Sequence, residues 1–307
     1  LTAMVTLSDL VREVRAEVRR DALAAGLSDA EADAYAATVT TFLALALDRC
    51  ADDNNALCRW VAVAQKSEGL FGRQAIPMVW DFAEANILGD GVGSWGRCVA
   101  RTAECVEPIC VGGASASEGH ARLIDAASPW DGLKNVLVST DPPYYDNIGY
   151  AALSDFFYVW LRRTIGDLYP DLFGTILVPK EPELVAAPER FGGDKRKAKE
   201  HFEQGFRRAF AVLREKMDPR FPLTVYYAFK QDDESSGADE EAGDNGNGDR
   251  VDRTTGWETM LNALVETGFQ ITATWPVRSA YKWRQNAMGS NALASYIVLA
   301  CRPRPAD

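Results

Sequence analysis

Two consecutive prolines, Pro142 and Pro143, follow almost directly on a short apolar run, Asn135 to Thr140 (NVLVST). Proline lacks a backbone N–H and holds φ near −65°, so no interior strand continues through such a pair. The run reads as a short buried strand, and its C-terminal end carries Asp141, Pro142, Pro143, Tyr144, Tyr145 and Asp146. Open α/β sheets place their ligand sites at that end of a strand.

The rest of the chain supports an α/β reading. From about Cys105 onward, short apolar runs at Cys105 to Val111, Asn135 to Thr140, Pro222 to Phe229, Gly268 to Trp275 and Leu293 to Cys301 predict strands. Segments with apolar residues at three- and four-residue spacing, Leu153 to Ile165, Lys195 to Met217 and Trp257 to Thr267, predict the helices between them. A mostly parallel sheet covered by helices is expected.

Residues 1 to about 66 read instead as helices. Thr6 and Asp9 form a capping-box pattern around Leu7, Leu10, Val11, Val14 and Val18, and Ser28 with Glu31 forms a second one. The second helix is expected to present Tyr35, Val39, Phe42, Leu43, Ala46 and Leu47, and a third, about Ala56 to Gln65, to present Leu57, Trp60, Val61 and Ala64. Asp81, Glu84 and Asn86 have the spacing of a shared helix face and its end. The expected division is a helical subdomain over 1–100 and an α/β domain over 101–307. Residues 231–254, rich in charge, Gly and Ser, are expected to form an acidic, mobile loop.

Charge enters the argument because the whole chain carries −11, which counts against a phosphate-rich partner. Gln231 to Asp252 contains nine acidic residues against Arg250 alone, so the rest of the chain carries only −3. Two basic groups then stand out: Lys195, Arg196, Lys197, Lys199, Arg207 and Arg208, and the aromatic mixture of Arg278, Lys282 and Arg284 with Tyr281 and Trp283. The second is the better match to a nucleic-acid strand. The six cysteines lack paired metal-ligand spacing and read as buried free thiols, with no metal expected. His120 and His201 stand in no recognised nucleophile arrangement. No apolar stretch of about 18 residues and no signal-peptide pattern occurs, so a cytoplasmic protein without a membrane partner is expected.

The chemistry rests on Asp141, Pro142, Pro143 and Tyr144. Prolines expose carbonyls without competing N–H groups, and Asp141 adds a carboxylate acceptor beside them. A planar exocyclic amine offers two N–H donors. Accepting both shifts its nitrogen toward the sp³ geometry needed to attack a methyl sulfonium, which favours the transition state rather than binding alone. Tyr144 supplies a face for a base swung out of its stack, worth roughly 1–3 kcal/mol in comparable sites. Tyr145, Asp146, Arg278, Lys282 and Arg284 are the expected substrate contacts.

DPPYYDNIGYAALSDFFYVWLRR (Asp141 to Arg163), VPKEPELV (Val178 to Val185) and RQAIPMVWDFAEAN (Arg73 to Asn86) resemble the C-terminal portion of adenine-specific DNA methylases of the group that also carries a zinc ribbon. The likeness spans most of residues 70 to 302. It implies a class I (Rossmann-like) methyltransferase sheet, S-adenosylmethionine as donor, and DNA adenine as acceptor. Asp141, Pro142 and Tyr144 fall on the family's [DN]PP[YF] signature.

Such families hold the donor with a glycine-rich turn after the first strand, and no such sequence occurs here; Gly89 to Gly93 reads as a loop of tight turns. The sheet is therefore expected to lack its first two strands, with the donor-binding segment upstream in the same protein or on a separate chain. Cys105 to Ser117 would then be the third strand and its loop. Gly113 and Ala114, with Asp141, are the expected cofactor contacts, although related enzymes place an acid where Gly113 and Ala114 stand. The acceptor geometry also suits RNA, the cytosine N4 amine or a protein amide. A non-catalytic nucleic-acid-binding fragment is the reading from another class.

Overall fold

The computed structural model describes residues 1–72, 75–112, 119–145, 148–229, 256–278 and 295–305. The chain is mixed α/β and divides into two compact units, Leu1–Leu123 with Tyr150–Glu181, and Ile124–Gly149 with Pro182–Asp307. The division expected at residue 100 falls inside a helix, and a later helical stretch belongs with the N-terminal unit.

The first unit holds α1 (Thr2–Ala24), α2 (Asp29–Asp53), a hairpin of β1 (Arg59–Val61) and β2 (Lys66–Glu68), α3 (Trp95–Gly112), α4 (Tyr150–Ile165) and the single turn α5 (Pro170–Phe173). The capping box at Ser28 is present in full: Ser28 Oγ accepts from the Glu31 N–H, and Glu31 Oε2 accepts from the Ser28 N–H at 2.9 Å. Thr6 and Asp9 lie inside α1 and cap nothing. Aromatic Tyr35 is exposed, and α2 instead buries small residues four apart, Ala32, Ala36, Thr40 and Ala44, before Leu47 and Ala51. Small side chains let neighbouring helices approach closely. The core gathers Met4, Ala46, Leu47, Cys50, Ala51 and Cys98, with Phe156 and Trp160 of α4 against it.

Further expectations fail in this unit. Ala56 to Gln65 holds β1 and the turn toward β2 rather than a helix. Cys105 to Val111 is the second half of α3 rather than a strand: the helix begun at Trp95 runs on to Gly112 despite Pro108. Asp81, Glu84 and Asn86 lie in irregular chain and share no helix face. Of the cysteines expected to be buried, Cys105 is exposed, and Cys50, Cys58, Cys98 and Cys301 are buried as free thiols. None of the described helices is long and apolar enough to cross a membrane.

The second unit is a four-stranded sheet in the order β3-β4-β6-β5, with β3 (Ser139–Thr140), β4 (Leu223–Phe229), β5 (Phe269–Arg278) and β6 (Ser295–Pro303). Only β3 and β4 are parallel; β6 runs antiparallel to both β4 and β5, so the expected mostly parallel sheet is a mixed one. Helices α6 (Lys195–Lys216) and α7 (Gly256–Glu266) bury one face of it. Phe202, Phe206 and Phe210 recur every four residues on α6 and meet Leu223, Val225 and Tyr227, which recur every two on β4. The opposite face places Tyr226, Val298 and Trp275 side by side, and leaves Tyr226 44%, Trp275 53%, Val277 46% and Leu137 70% exposed. The Asn135 to Thr140 run is thus half open to solvent instead of buried, because β3 stands at the edge of the sheet among the described residues.

Asp48, on the inner side of α2, is buried, and its Oδ1 has no hydrogen-bond partner among the described residues. Burial pushes this carboxyl up to about 8. The unfolded chain releases that proton near pH 4 while the folded chain keeps it, so the residue costs stability progressively as pH rises from about 4 to 8. Asp48→Asn is expected to stabilise the protein by more than about 1 kcal/mol at pH 7 and hardly at all near pH 4. Denaturant titrations at both pH values test this; equal effects at the two would show that Asp48 is ionised in the fold.

Candidate functional site

The run leading into β3 is fastened at Val136 and Val138 before the strand delivers the proline pair. Val136 N–H donates to Lys216 O at 3.1 Å, Asp218 N–H donates to Val136 O at 2.9 Å, and Thr224 N–H donates to Val138 O at 3.1 Å. The turn from Asp141 to Tyr145 therefore starts from a fixed point at the strand's C-terminal end. Asp141 is exposed, and Pro142, Pro143, Tyr144 and Tyr145 are half-buried. Among the described residues no hydrogen bond ends on the carbonyls of Pro142 or Pro143.

Tyr144 is less free than a bare stacking platform. Its hydroxyl donates to Oδ1 of Asp141, and its ring meets Tyr227 edge-on with centroids 5.2 Å apart. Tyr227 in turn lies 5.7 Å from Trp257. The Tyr144 ring thus heads a file of three aromatic rings, Tyr144, Tyr227 and Trp257, of which sequence reasoning found the first. Alternation along β4 could have identified Tyr227 as an inward residue, but nothing local places Trp257 beside it.

Tyr145 turns the chain. Its φ of 53° lies in the left-handed region, which costs a non-glycine residue of order 1 kcal/mol unless surrounding contacts hold it. Three do. Ala186 N–H donates to Tyr145 O at 3.1 Å, the ring packs edge-on against Phe202 at 5.1 Å, and Gly256 comes so close that a Cβ there would stand 2.6 Å from the Tyr145 Cβ. The Ala186 segment is anchored by an ion pair of Arg190 Nη2 with Glu183 Oε2 at 2.5 Å, both partners largely buried. Glu183, Ala186, Arg190 and Gly256 hold the turn without carrying chemistry, and pattern reading missed the last three. Only Glu183 lies in a stretch that carried the family resemblance.

The structure brings Asp141, Pro142, Pro143, Tyr144 and Tyr145 together. Gly113, Ala114, Asp146, Lys282 and Arg284 lie outside the described residues, as does the 231–254 loop, and Arg278 is described only as the last residue of β5. The segment expected to form the third strand of a donor site is helical up to Gly112. Gly93 is a packing glycine: its φ is 82°, a Cβ would meet Asp53 at 2.9 Å, and its carbonyl accepts from Asn54 Nδ2 at 2.6 Å. At the basic start of α6, Asp194 caps the helix by accepting from the N–H groups of Arg196 and Lys197, and further along Arg207 pairs with Glu266 at 2.5 Å. His201 Nε2 lies 3.4 Å from Glu183 O, and His120 is exposed.

The chain matches no protein-family model, no curated protein and no solved structure.

Gly256→Ala is expected to destabilise the fold by about 1–3 kcal/mol, since the new methyl group collides with the backbone-proximal carbon of Tyr145. Chemical denaturation measures it. An unchanged midpoint would mean that α7 does not hold the Tyr145 turn in place.

Proposed function

We propose that this chain is the amine-recognising half of an S-adenosylmethionine-dependent methyltransferase acting on N6 of adenine in DNA. The observation that carries the reading is the Asp141 to Tyr144 turn: two proline carbonyls and a carboxylate at the C-terminal end of an edge strand, beside the file of rings Tyr144, Tyr227 and Trp257. The family resemblance of the same residues supports it.

The chain's own residues act on the amine. One Asp141 oxygen is engaged by the Tyr144 hydroxyl, which orients the carboxylate and leaves the other oxygen to accept from one N–H of the target amine. A proline carbonyl accepts the second. Both bonds strengthen as the nitrogen pyramidalises and gains positive charge, so their stabilisation is greatest in the transition state. The half-buried Tyr144 face, backed by the buried Tyr227 ring, favours a base out of its stack over water in the same space.

The described residues do not make a donor cradle. Neither a glycine-rich turn after a strand nor an acid at the expected third position is among them, and the Cys105 to Gly112 segment is helical. No step is therefore assigned to the donor side. The edge of β3, open among the described residues, and the exposed Tyr226, Trp275, Val277 and Leu137 beside it fit a sheet that continues with strands and helices from a donor-binding segment. The same helical Cys105 to Gly112 favours a second reading, in which this chain binds nucleic acid and transfers no methyl group by itself.

In the protein completed by its donor-binding segment, Asp141→Ala is expected to reduce transfer of labelled methyl to adenine-containing DNA by at least about 100-fold, with the melting temperature within a few degrees of wild type. Near-normal transfer by the variant would sink the acceptor mechanism. Calorimetry of the chain with S-adenosylmethionine tests the second reading, which a heat of binding would count against; methyl transfer by the protein completed with its donor-binding segment separates the two.

A further inference from the structure

In the N-terminal unit, an open trough of about 590 Å³ is lined by Arg12 of α1, Val159, Arg162 and Arg163 of α4, Asp167 and Phe173. Its charges are held in place. Arg163 Nη2 pairs with Asp9 at 2.7 Å, and Arg15 Nη2 pairs with Asp167 at 2.6 Å. Arg15 keeps the Asp167 carboxyl below the usual carboxylate range, and the charge of Arg12 adds to that effect. Arg162 Nε donates to Phe173 O at 3.3 Å, which steadies the guanidinium at the trough that it lines. Among the described residues neither Arg12 nor Arg162 has an acidic partner.

The trough and its paired neighbours hold four guanidinium groups against two carboxylates. A local surplus of two positive charges stands out on a chain whose formal charge is −11. The cations are all arginine, whose planar fork offers two parallel N–H donors to one phosphate, where an ammonium offers a point charge. Val159 and Phe173 add an apolar wall beside them, as the sugar and base of a nucleotide require and inorganic phosphate does not. The paired carboxylates of Asp9 and Asp167 at the rim would be repelled by a continuous anionic surface such as a membrane, but a strand with spaced phosphates passes between them.

We infer that this trough is a nucleic-acid phosphate-binding site, in which Arg12 and Arg162 contact the phosphodiester backbone. It lies apart in sequence from both basic clusters read from the chain, and it does not depend on methyl transfer.

Fluorescence anisotropy of the full chain with a short labelled oligonucleotide, from about 50 to 200 mM salt, tests it without any methyl donor. Arg12→Glu with Arg162→Glu is expected to weaken binding by about tenfold or more at the lower salt, and to reduce the slope of log affinity against log salt by about two, one for each lost phosphate contact. Arg20→Glu with Arg101→Glu makes the same charge change elsewhere in the unit and is expected to preserve the slope. Arg12→Gln with Arg162→Gln keeps the test decisive if the reversal unfolds the unit, as a thermal melt would show. Unchanged affinity and slope would overturn the inference, as would no oligonucleotide binding by the wild type. A loss confined to anionic vesicles or an acidic peptide would overturn it too. Trough-dependent oligonucleotide binding by the chain would retain this site even if the protein completed by its donor-binding segment transferred no methyl group, a result that would reject only the enzymatic proposal.

Discussion

The second unit depends on the interlock between a period of four and a period of two. Phe202, Phe206 and Phe210 stack along α6 with centroids 4.6 and 5.5 Å apart, and they bury Leu223, Val225 and Tyr227 of β4 beneath them. Each such side chain is worth roughly 1.5–3 kcal/mol when removed from water. A shift of β4 by one residue would exchange that buried set for Thr224 and Tyr226, so the packing sets the register. Because β3 is bonded to β4 and to the end of α6, the same interlock fixes where the strand releases the proline pair. The acceptor turn is positioned by a helix more than fifty residues downstream.

The turn itself shows how a site is kept in shape. Tyr145 occupies a backbone conformation that it would leave if free, and three elements distant in sequence hold it there: the Ala186 segment, Phe202 and Gly256. Strain at a chemical site persists where surrounding structure over-determines it. The Arg190 to Glu183 pair extends this support outward. Removing either partner would leave a mostly buried charge, which gives the pair a larger role than a surface ion pair has.

The helical unit is organised differently. Its second helix presents alanines and Thr40 to its neighbours, where bulkier apolar residues would keep helices apart, and it buries Asp48 among them. A carboxyl so placed stays protonated at neutral pH, at a cost to stability that hydrophobic residues around Leu47 and Met4 must offset. The arginine-lined trough in this unit is assembled from α1 and from a helix about one hundred and fifty residues later, so neither segment alone reads as basic: α1 carries as many acids as arginines.

Local chemistry determined much of this protein. The Ser28 cap, the helices at Tyr150, Lys195 and Gly256, the three long strands and the proline stop after Thr140 all follow from side-chain spacing and from what proline forbids, because each depends on neighbours within a turn or two. Where local signals conflicted, tertiary structure decided. Cys105 to Val111 has a strand's composition but continues the helix begun at Trp95. Ala56 to Gln65 has a helix's periodicity but folds as a strand and turn. The aromatic wall beside Tyr144, the bond of Tyr144 to Asp141 and the pairing of α1 with α4 arginines were out of reach of any pattern. They join residues whose distance in the chain carries no information about their distance in space, and only the packing of helices and strands into two cores brings them together.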